Sequence, residues 1–103
     1  IEHIYAINNL DKIISIKGLD AVFLGPYDLS ASMNITGDFD NIKFKNAVKK
    51  FLKICNHNNF PAGIHVINPI KRDLENKVKE GFRFVAFSMD SVILTKHSIN
   101  PII

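Results

Sequence analysis

Two acidic residues stand where apolar sequence gives way to polar sequence, and they are the first candidates for chemistry. Glu2 lies in what reads as the end of a strand, and Asp28 follows the apolar run AVFL after Gly25 and Pro26. If the two strands are neighbours, both carboxylates reach one rim of a sheet, where they suit a hard octahedral cation such as Mg²⁺ or Mn²⁺. Alternatively, Glu2 is merely solvent-exposed and Asp28 caps a turn. The spacing alone leaves both interpretations open.

The dipeptide Gly25-Pro26 affects the backbone of the same segment. Glycine allows a tight exit from the strand and a close approach by a ligand. Proline fixes φ, so that the N–H groups of Tyr27 and Asp28 would face one point, and such a nest of amides binds anions, including carboxylates. An ordinary turn uses the same residues, so the dipeptide does not decide between a site and a turn.

His65 lies near the end of a predicted strand and either faces the same cavity or packs against a neighbour through a hydrogen bond. The other histidines have no metal-like spacing. Cys55 falls on the apolar stripe of a predicted helix, which is typical of a core residue. The chain has no Cys pair and no Gly-x-Gly-x-x-Gly, so a thiolate metal site and a dinucleotide loop are both excluded.

Helices and strands alternate along the chain and must position these residues. The apolar spacing first predicts a strand end at Glu2, a helix over 4–15 stopped by Gly18, and a strand in 20–25. A helix from Phe44 to Cys55, capped by Asp40 or Asn41, and a strand over 61–67 follow. The next helix is capped by Asn68 and Pro69, carries the buried stripe Ile70, Leu74 and Val78, and ends at Gly81; a strand over 82–88 and a helical start in 89–97, capped by Asp90, complete the order.

Nearly continuous apolar strands that alternate with helices predict a parallel sheet covered by helices, in an α/β fold. Either an open doubly wound sheet or a section of a (β/α)₈ barrel satisfies the pattern. The connection from residue 25 to residue 40 is predicted to be a loop, far longer than the usual roughly 2–6 residues. In both folds it lies at the carboxyl ends of the strands, where ligands bind.

The composition bounds the class of protein. The 103 residues suit one small domain, and the net charge of +3 comes from lysines scattered over predicted solvent faces, which does not favour nucleic-acid binding. No apolar run approaches the roughly 20 residues of a membrane span. A single cysteine favours a reducing, cytoplasmic compartment. The first residue is Ile1, so we expect the chain to begin partway through a larger protein.

Three segments carry a resemblance to a known family: IEHIYAINNLDKIISIKGLDAVFLGPYDLSASMNITG, PAGIHV and EGFRFVAFSMD. Together they resemble the metal-dependent pyruvate aldolases of the HpcH/HpaI family over essentially all residues, and GPYDLS with Glu2 upstream is the most specific part. The resemblance implies that residues 1–103 are one partial domain, the C-terminal half of a (β/α)₈ TIM barrel from the end of strand five through strand eight. Asn34 stands where relatives often have glycine, in a left-handed conformation that asparagine tolerates.

The resemblance also implies an activity. Such enzymes are class II aldolases that cleave 4-hydroxy-2-oxo acids to pyruvate and an aldehyde through a metal-stabilised enolate. Glu2 and Asp28 would hold the ion, which is Mg²⁺ or Mn²⁺, with Co²⁺ as a further option. Gly25, Pro26 and the backbone amides of Tyr27 and Asp28 would bind the pyruvate part, and His65 would line the aldehyde pocket.

Some features of the family fall outside this chain. The histidine and arginine that serve proton transfer and the enolate oxygen are expected upstream, so the segment alone is expected to be inactive. Relatives continue into a long helix that packs on a partner subunit, which implies a homo-oligomer, whereas residues 98–103 here are short and interrupted by proline. The remaining alternatives are a citrate-lyase-like or malyl-CoA-lyase-like enzyme acting on thioesters, and an inactive truncated half-barrel.

Overall fold

A computed structural model of the chain describes residues 1–98 and residue 102. Most of the C-terminal tail, for which the sequence gives no clear period, lies outside the described residues. Within them the elements, in chain order, are α1 (Ile4–Asn8), α2 (Leu10–Ile14), β1 (Val22–Leu24), α3 (Pro26–Ser32), α4 (Ile42–His57), β2 (Ala62–Val66), α5 (Lys71–Glu80), β3 (Phe84–Phe87) and α6 (Asp90–His97).

The three strands form one parallel sheet in the order β1-β2-β3, which confirms the predicted parallel α/β arrangement. Ile1 continues this sheet at the other edge of β1. Its amino nitrogen donates to the Phe23 carbonyl at 2.6 Å, and the Gly25 N–H donates to the Ile1 carbonyl at 3.1 Å. Ile1 thus bonds to the two residues that flank Leu24, which is the hydrogen-bond pattern of parallel strands. The strand end predicted at Glu2 therefore lies beside β1.

The core lies between the sheet and α4. The buried residues of α4 recur at helical spacing, and Asn41 caps the helix by accepting the Lys43 N–H at 3.0 Å, as predicted. Burial raises the pKa of the Cys55 thiol from 9.0 to about 11, because the thiolate is disfavoured away from water. Cys55 is therefore a core residue, as the sequence predicts. The α4 residues of this core are Phe44, Ala47, Val48, Phe51, Leu52 and Cys55.

The opposite face of the sheet carries two aromatic rings. Phe23 of β1 and Phe84 of β3 meet across Gly63 of β2, edge to face, with ring centroids 5.4 Å apart. Gly63 permits this contact because a Cβ there would lie 2.6 Å from Phe23 Cδ2 and 2.9 Å from the Phe84 carbonyl oxygen. Phe84 is nevertheless 55% exposed. This second face of the sheet, defined by Phe23, Gly63 and Phe84, is apolar and open within the described part of the chain.

The predicted helix over 4–15 is instead two short helices that meet at Asn9. The Asn9 side-chain Nδ2 donates to the Tyr5 carbonyl at 2.9 Å, an oxygen that the Asn9 backbone N–H also uses. Such side-chain competition for backbone groups interrupts helices. The last helical residue is Ile14, so the helix ends before Gly18, which follows in a left-handed turn with φ +93°.

The predicted long loop between residues 25 and 40 contains α3. Pro26 occupies its first position, where the missing N–H costs nothing. The helix closes at Met33, and Asn34 follows with φ +59°, the left-handed conformation expected for that position. The connection is therefore half helix, and its first turn carries Asp28.

The caps predicted for α5 and α6 are wrong by one or two residues. The Ile70 N–H donates to the Asn68 carbonyl at 2.8 Å in a turn around Pro69, so α5 starts after Ile70 and not at Asn68. Met89 precedes α6, and Asp90 is its first residue. Gly81 ends α5 with φ +110°, as predicted.

The buried stripe predicted for α5 is also wrong. Val78 is 57% exposed and Ile70 is exposed, while Leu74 is only partly covered. β3 is shorter than the predicted 82–88, and both its end residues are exposed. The reason is common to both elements: they form the outer edge of the described structure, where their apolar side chains have no further layer to pack against. No helix among the described residues is long and apolar enough to cross a membrane.

Candidate functional site

Glu2 and Asp28 come together over Gly25. A Cβ built on Gly25 would lie 3.5 Å from Glu2 Oε1, 3.4 Å from Asp28 Oδ2 and 3.0 Å from Glu2 Cγ. Both carboxylate oxygens therefore border the small volume that this glycine leaves empty. The sheet positions Glu2 through the two hydrogen bonds of Ile1, and α3 positions Asp28.

His65 lies in the same row of the sheet. The hydrogen bonds place Ile1 level with Leu24, and Leu24 is level with Ile64. One residue further along each strand, Glu2, Gly25 and His65 are level, and side chains at that position share the face that carries Phe23 and Phe84. The strand order thus brings the predicted site residues to one rim of the sheet, at the carboxyl ends of its strands.

Within the part of the chain that the structure describes, two backbone N–H groups in the first turn of α3 have no hydrogen-bond partner. The Leu29 N–H donates to the Gly25 carbonyl at 2.9 Å and closes the first turn, whereas the N–H groups of Tyr27 and Asp28 precede any intrahelical acceptor. Among the described residues no side chain caps this end of α3, and the Asp28 carboxylate makes no hydrogen bond to Ser30 or Ala31, the turn it would cap in the alternative interpretation. The positive end of the helix dipole favours the Asp28 carboxylate and any anion held there.

The Tyr27 ring does not share this position. It packs edge to face on Phe39, with centroids 4.9 Å apart. Only the backbone N–H of Tyr27 is therefore considered part of the candidate site.

Ser30 fixes the loop behind α3, and the sequence interpretation missed it. Its buried hydroxyl donates to the Tyr27 carbonyl at 2.8 Å and accepts the Gly37 N–H at 3.0 Å. The sequence shows a serine inside GPYDLS and a glycine seven residues later. Their pairing joins a helix residue to a loop amide, and such a contact is not predicted by local spacing.

Ser88 is the second residue that the sequence interpretation missed. His65 Nε2 lies 2.9 Å from the Ser88 carbonyl oxygen, and Ser88 is buried with φ +59°. Its hydroxyl has no hydrogen-bond partner among the described residues. The interpretation of His65 as a residue bonded to a neighbour is therefore correct for one of its two nitrogens.

The two carboxylates fit a hard divalent cation. They provide oxygen ligands at a point where the backbone leaves room, and both side chains are exposed at the rim. Within residues 1–98 and residue 102 there is no group of three or more Asp, Glu, His or Cys residues that would form a complete protein cage. Such a site suits an ion that keeps several water or substrate ligands, as Mg²⁺ does.

A separate cavity of about 700 Å³ lies between α4 and α5. Its lining includes Ile64 and Val66 on the helix side of β2, and it reaches Pro26 and His65 at the rim, but it includes neither carboxylate. The cavity exists because α5 buries no residue against α4. We therefore place the candidate site at Gly25 and not in this groove.

Comparisons with known sequences identify relatives. The profile of the HpcH/HpaI aldolase/citrate lyase family matches residues 1–101. A hydroxypyruvate/pyruvate aldolase from Roseobacter denitrificans is 32% identical over 94 residues, which cover 91% of this chain and 36% of that protein. A 5-keto-4-deoxy-D-glucarate aldolase from Escherichia fergusonii is 29% identical over 90 residues, which cover 87% of this chain and 34% of that protein. The chain spans about a third of the length of these relatives.

Solved structures share the fold. An HpcH/HpaI aldolase from Desulfitobacterium hafniense superposes with a TM-score of 0.85 at 26% identity, over 95% of this chain and 38% of that one. The citrate synthase SbnG superposes with a TM-score of 0.79 at 20% identity, over 94% of this chain and 39% of that one, which shows a common fold alone. With the family profile matching nearly every residue, the chain belongs to the HpcH/HpaI aldolase/citrate lyase family.

Proposed function

We propose that the chain is the C-terminal half of a (β/α)₈ barrel and carries the metal- and pyruvate-binding part of a class II aldolase. The full-length enzyme would cleave 4-hydroxy-2-oxo acids to pyruvate and an aldehyde. The observation that carries this proposal is the convergence of the Glu2 and Asp28 carboxylates on the space above Gly25. The named relatives, which are aldolases, support the same reaction class.

Each residue of the rim has a role in this proposal. Glu2 and Asp28 would hold a divalent ion, which supplies Lewis-acid stabilisation of the enolate that forms when the bond between C3 and C4 breaks. The free N–H groups of Tyr27 and Asp28 would bind the substrate carboxylate, and Gly25 admits the 2-oxo acid close to the backbone. Pro26 fixes φ at the start of α3 and so orients the donors that follow.

The proton-transfer groups would come from the rest of the protein. Among the described residues, His65 lies on this rim, His3 accepts the Tyr5 N–H through Nδ1, and the lysines lie on exposed or partly exposed helix and loop positions. A lysine Schiff base is not required, because a bound cation can stabilise the enolate. The isolated segment would therefore bind metal and 2-oxo acid but lack turnover.

The test is made on the full-length protein, purified with EDTA and then supplied with Mg²⁺ or Mn²⁺. Pyruvate release from a 4-hydroxy-2-oxo acid should require the added ion. Asp28→Ala and Glu2→Gln should each lower kcat/KM by roughly 100-fold or more, since each removes a charged ligand. The matched control is Asp20→Asn, an exposed carboxylate at the opposite end of β1, which should retain wild-type turnover.

Two results would reject the proposal. Full activity of Asp28→Ala, with its fold intact by circular dichroism, would remove the metal assignment. Cleavage of acyl-CoA thioesters in place of free 4-hydroxy-2-oxo acids would place the enzyme with the thioester-cleaving lyases instead.

A further inference from the structure

The buried hydroxyl of Ser30 takes part in two hydrogen bonds whose directions are fixed. The backbone N–H of Gly37 can only donate, so Ser30 Oγ accepts it, at 3.0 Å. The carbonyl oxygen of Tyr27 can only accept, so the Ser30 O–H donates to it, at 2.8 Å. Ser30 is 0% exposed, so bulk water does not compete for either bond. The hydroxyl therefore connects the loop after α3 to one peptide group of the helix.

That peptide group is the one that carries the Asp28 N–H. In a planar trans peptide, the C=O and N–H bonds point in opposite directions. The Tyr27 carbonyl points along α3 towards Ser30, so the Asp28 N–H points back towards the start of the helix, where Gly25 is the N-cap. The Asp28 N–H has no hydrogen-bond partner among the described residues. It is one of the two donors that would bind the substrate carboxylate in the proposed function.

The groups of this connection are aligned head to tail. The Gly37 N–H, the Ser30 O–H and the peptide between Tyr27 and Asp28 all donate in the same direction along the chain of hydrogen bonds. Hydrogen bonds in such a chain strengthen one another, by roughly 10–30% per bond. The Ser30 hydroxyl thus fixes the plane of the peptide and also polarises it, which makes the Asp28 N–H a stronger donor.

Ser32 on the same helix makes the same kinds of hydrogen bond in a different place. Its hydroxyl donates to the Leu29 carbonyl at 2.7 Å and accepts the Ile4 N–H at 3.0 Å. The peptide that follows the Leu29 carbonyl lies inside α3, so its N–H is used within the helix and does not face a ligand. Ser32 is therefore a matched reference for what such a hydroxyl contributes to stability alone.

We propose that Ser30 is a positioning residue for the 2-oxo acid. Its hydroxyl orients and polarises the peptide between Tyr27 and Asp28, whose N–H binds the substrate carboxylate. The inference rests on the proposed aldolase function and adds to it a buried residue behind the donors. Because the carboxylate is present in both the substrate and the transition state, this interaction is made equally in both, so its loss should raise KM and leave kcat unchanged.

The experiment measures the pyruvate Kd of the full-length enzyme by isothermal titration at saturating Mn²⁺, so that changes in metal affinity do not enter. Ser30→Ala should raise this Kd by about tenfold, the value of one hydrogen bond. Its Mn²⁺ affinity without pyruvate should equal that of the wild type. In steady-state cleavage of a 4-hydroxy-2-oxo acid, KM should rise by a similar factor while kcat is retained. Ser32→Ala is the matched control: its thermal midpoint should fall as far as that of Ser30→Ala, while its pyruvate Kd stays at the wild-type value.

Two further variants restore the hydrogen bond in whole or in part. Ser30→Thr returns the hydroxyl and should recover wild-type binding. Ser30→Cys keeps nearly the size of serine with a weaker donor, so it should give an intermediate Kd and decides the matter where alanine or threonine does not fold. A wild-type pyruvate Kd in folded Ser30→Ala or Ser30→Cys enzyme, or an equal loss in Ser32→Ala, would overturn the inference. Absence of pyruvate binding by the Mn²⁺-loaded wild type would instead reject the aldolase proposal on which the inference rests.

Discussion

At the scale of single residues, Gly25 meets three demands at once. Its N–H donates to Ile1, its carbonyl accepts the Leu29 N–H that starts α3, and its missing side chain leaves room between two carboxylates. Its φ of −95° is open to any residue, so the backbone conformation does not require glycine. The room that the Glu2 and Asp28 side chains need is therefore the reason for glycine here.

Gly25→Ala should separate binding from stability. The added methyl would lie 3.0 Å from Glu2 Cγ and would displace that side chain, so we expect metal affinity to fall roughly 10- to 100-fold. The thermal midpoint should stay close to that of the wild type. Isothermal titration with Mn²⁺ and thermal unfolding, both on the full-length protein, measure the two effects.

Gly18→Ala is the converse control. Gly18 has φ +93° in open space, so alanine there should cost about 1 kcal/mol of stability without changing metal binding. Equal metal affinity in Gly25→Ala and the wild type would contradict the placement of the ion above Gly25.

At the scale of elements, apolar periodicity predicted those helices, strands and caps that depend on nearby residues alone. The stripe of α4, its Asn41 cap, the end of α5 at Gly81 and the parallel strands were all readable, because apolar spacing and cap chemistry determine them. α3 was not, since seven residues that open with proline carry too little apolar period. The exposure of Val78 was not readable either, because it depends on which layer covers the helix.

The candidate site divides in the same way. Residue type and strand-end position made Glu2, Asp28 and His65 candidates but left their roles open, and the partner of His65 could not be predicted at all. Ser88, directly after β3, contributes a backbone carbonyl, and a pattern of side chains does not predict which backbone oxygen will accept a hydrogen bond.

Gly63→Ala tests how the sheet is built. A methyl group there would meet Phe23 Cδ2 at 2.6 Å and the Phe84 carbonyl oxygen at 2.9 Å, and that oxygen belongs to the backbone of β3. We expect a loss of about 3 kcal/mol in the free energy of unfolding, measured by urea denaturation. Adding Phe23→Leu should recover only part of this loss, because the carbonyl contact persists. Complete recovery would show that ring packing alone limits this position.

At the scale of the whole molecule, apolar side chains line one face of a three-stranded sheet and its outer strand. Phe84 is exposed on this face and Phe87 on the opposite face of β3, whose free edge is the kind that pairs with another strand. Exposed apolar side chains of this kind mark an interface. In the proposed barrel the first half of the enzyme covers it.

Phe84→Gln should therefore improve the behaviour of residues 1–103 expressed alone and destabilise the full-length protein. In residues 1–103 expressed alone, it should raise the soluble fraction, because it removes exposed apolar surface. In the full-length protein it should lower the free energy of unfolding by about 3 kcal/mol, because the ring would be buried. Ile42→Gln, an exposed residue at the start of α4, is the control and should have little effect on full-length stability. A gain in the soluble fraction of residues 1–103 together with unchanged or higher stability of the full-length protein would contradict the half-barrel proposal.

The two hydrogen bonds of Ser30 have a consequence for engineering. They tie Gly37 to α3, and the ring of Phe39 is held between Tyr27 and Phe44. Asp38, between these two anchors, accepts the Asn41 side-chain N–H at 3.1 Å and the Asn41 backbone N–H at 3.2 Å, so an insertion there would disturb the residue that caps α4. Libraries that vary this loop should therefore substitute the exposed Thr36 and leave Gly37, Asp38 and Phe39 in place.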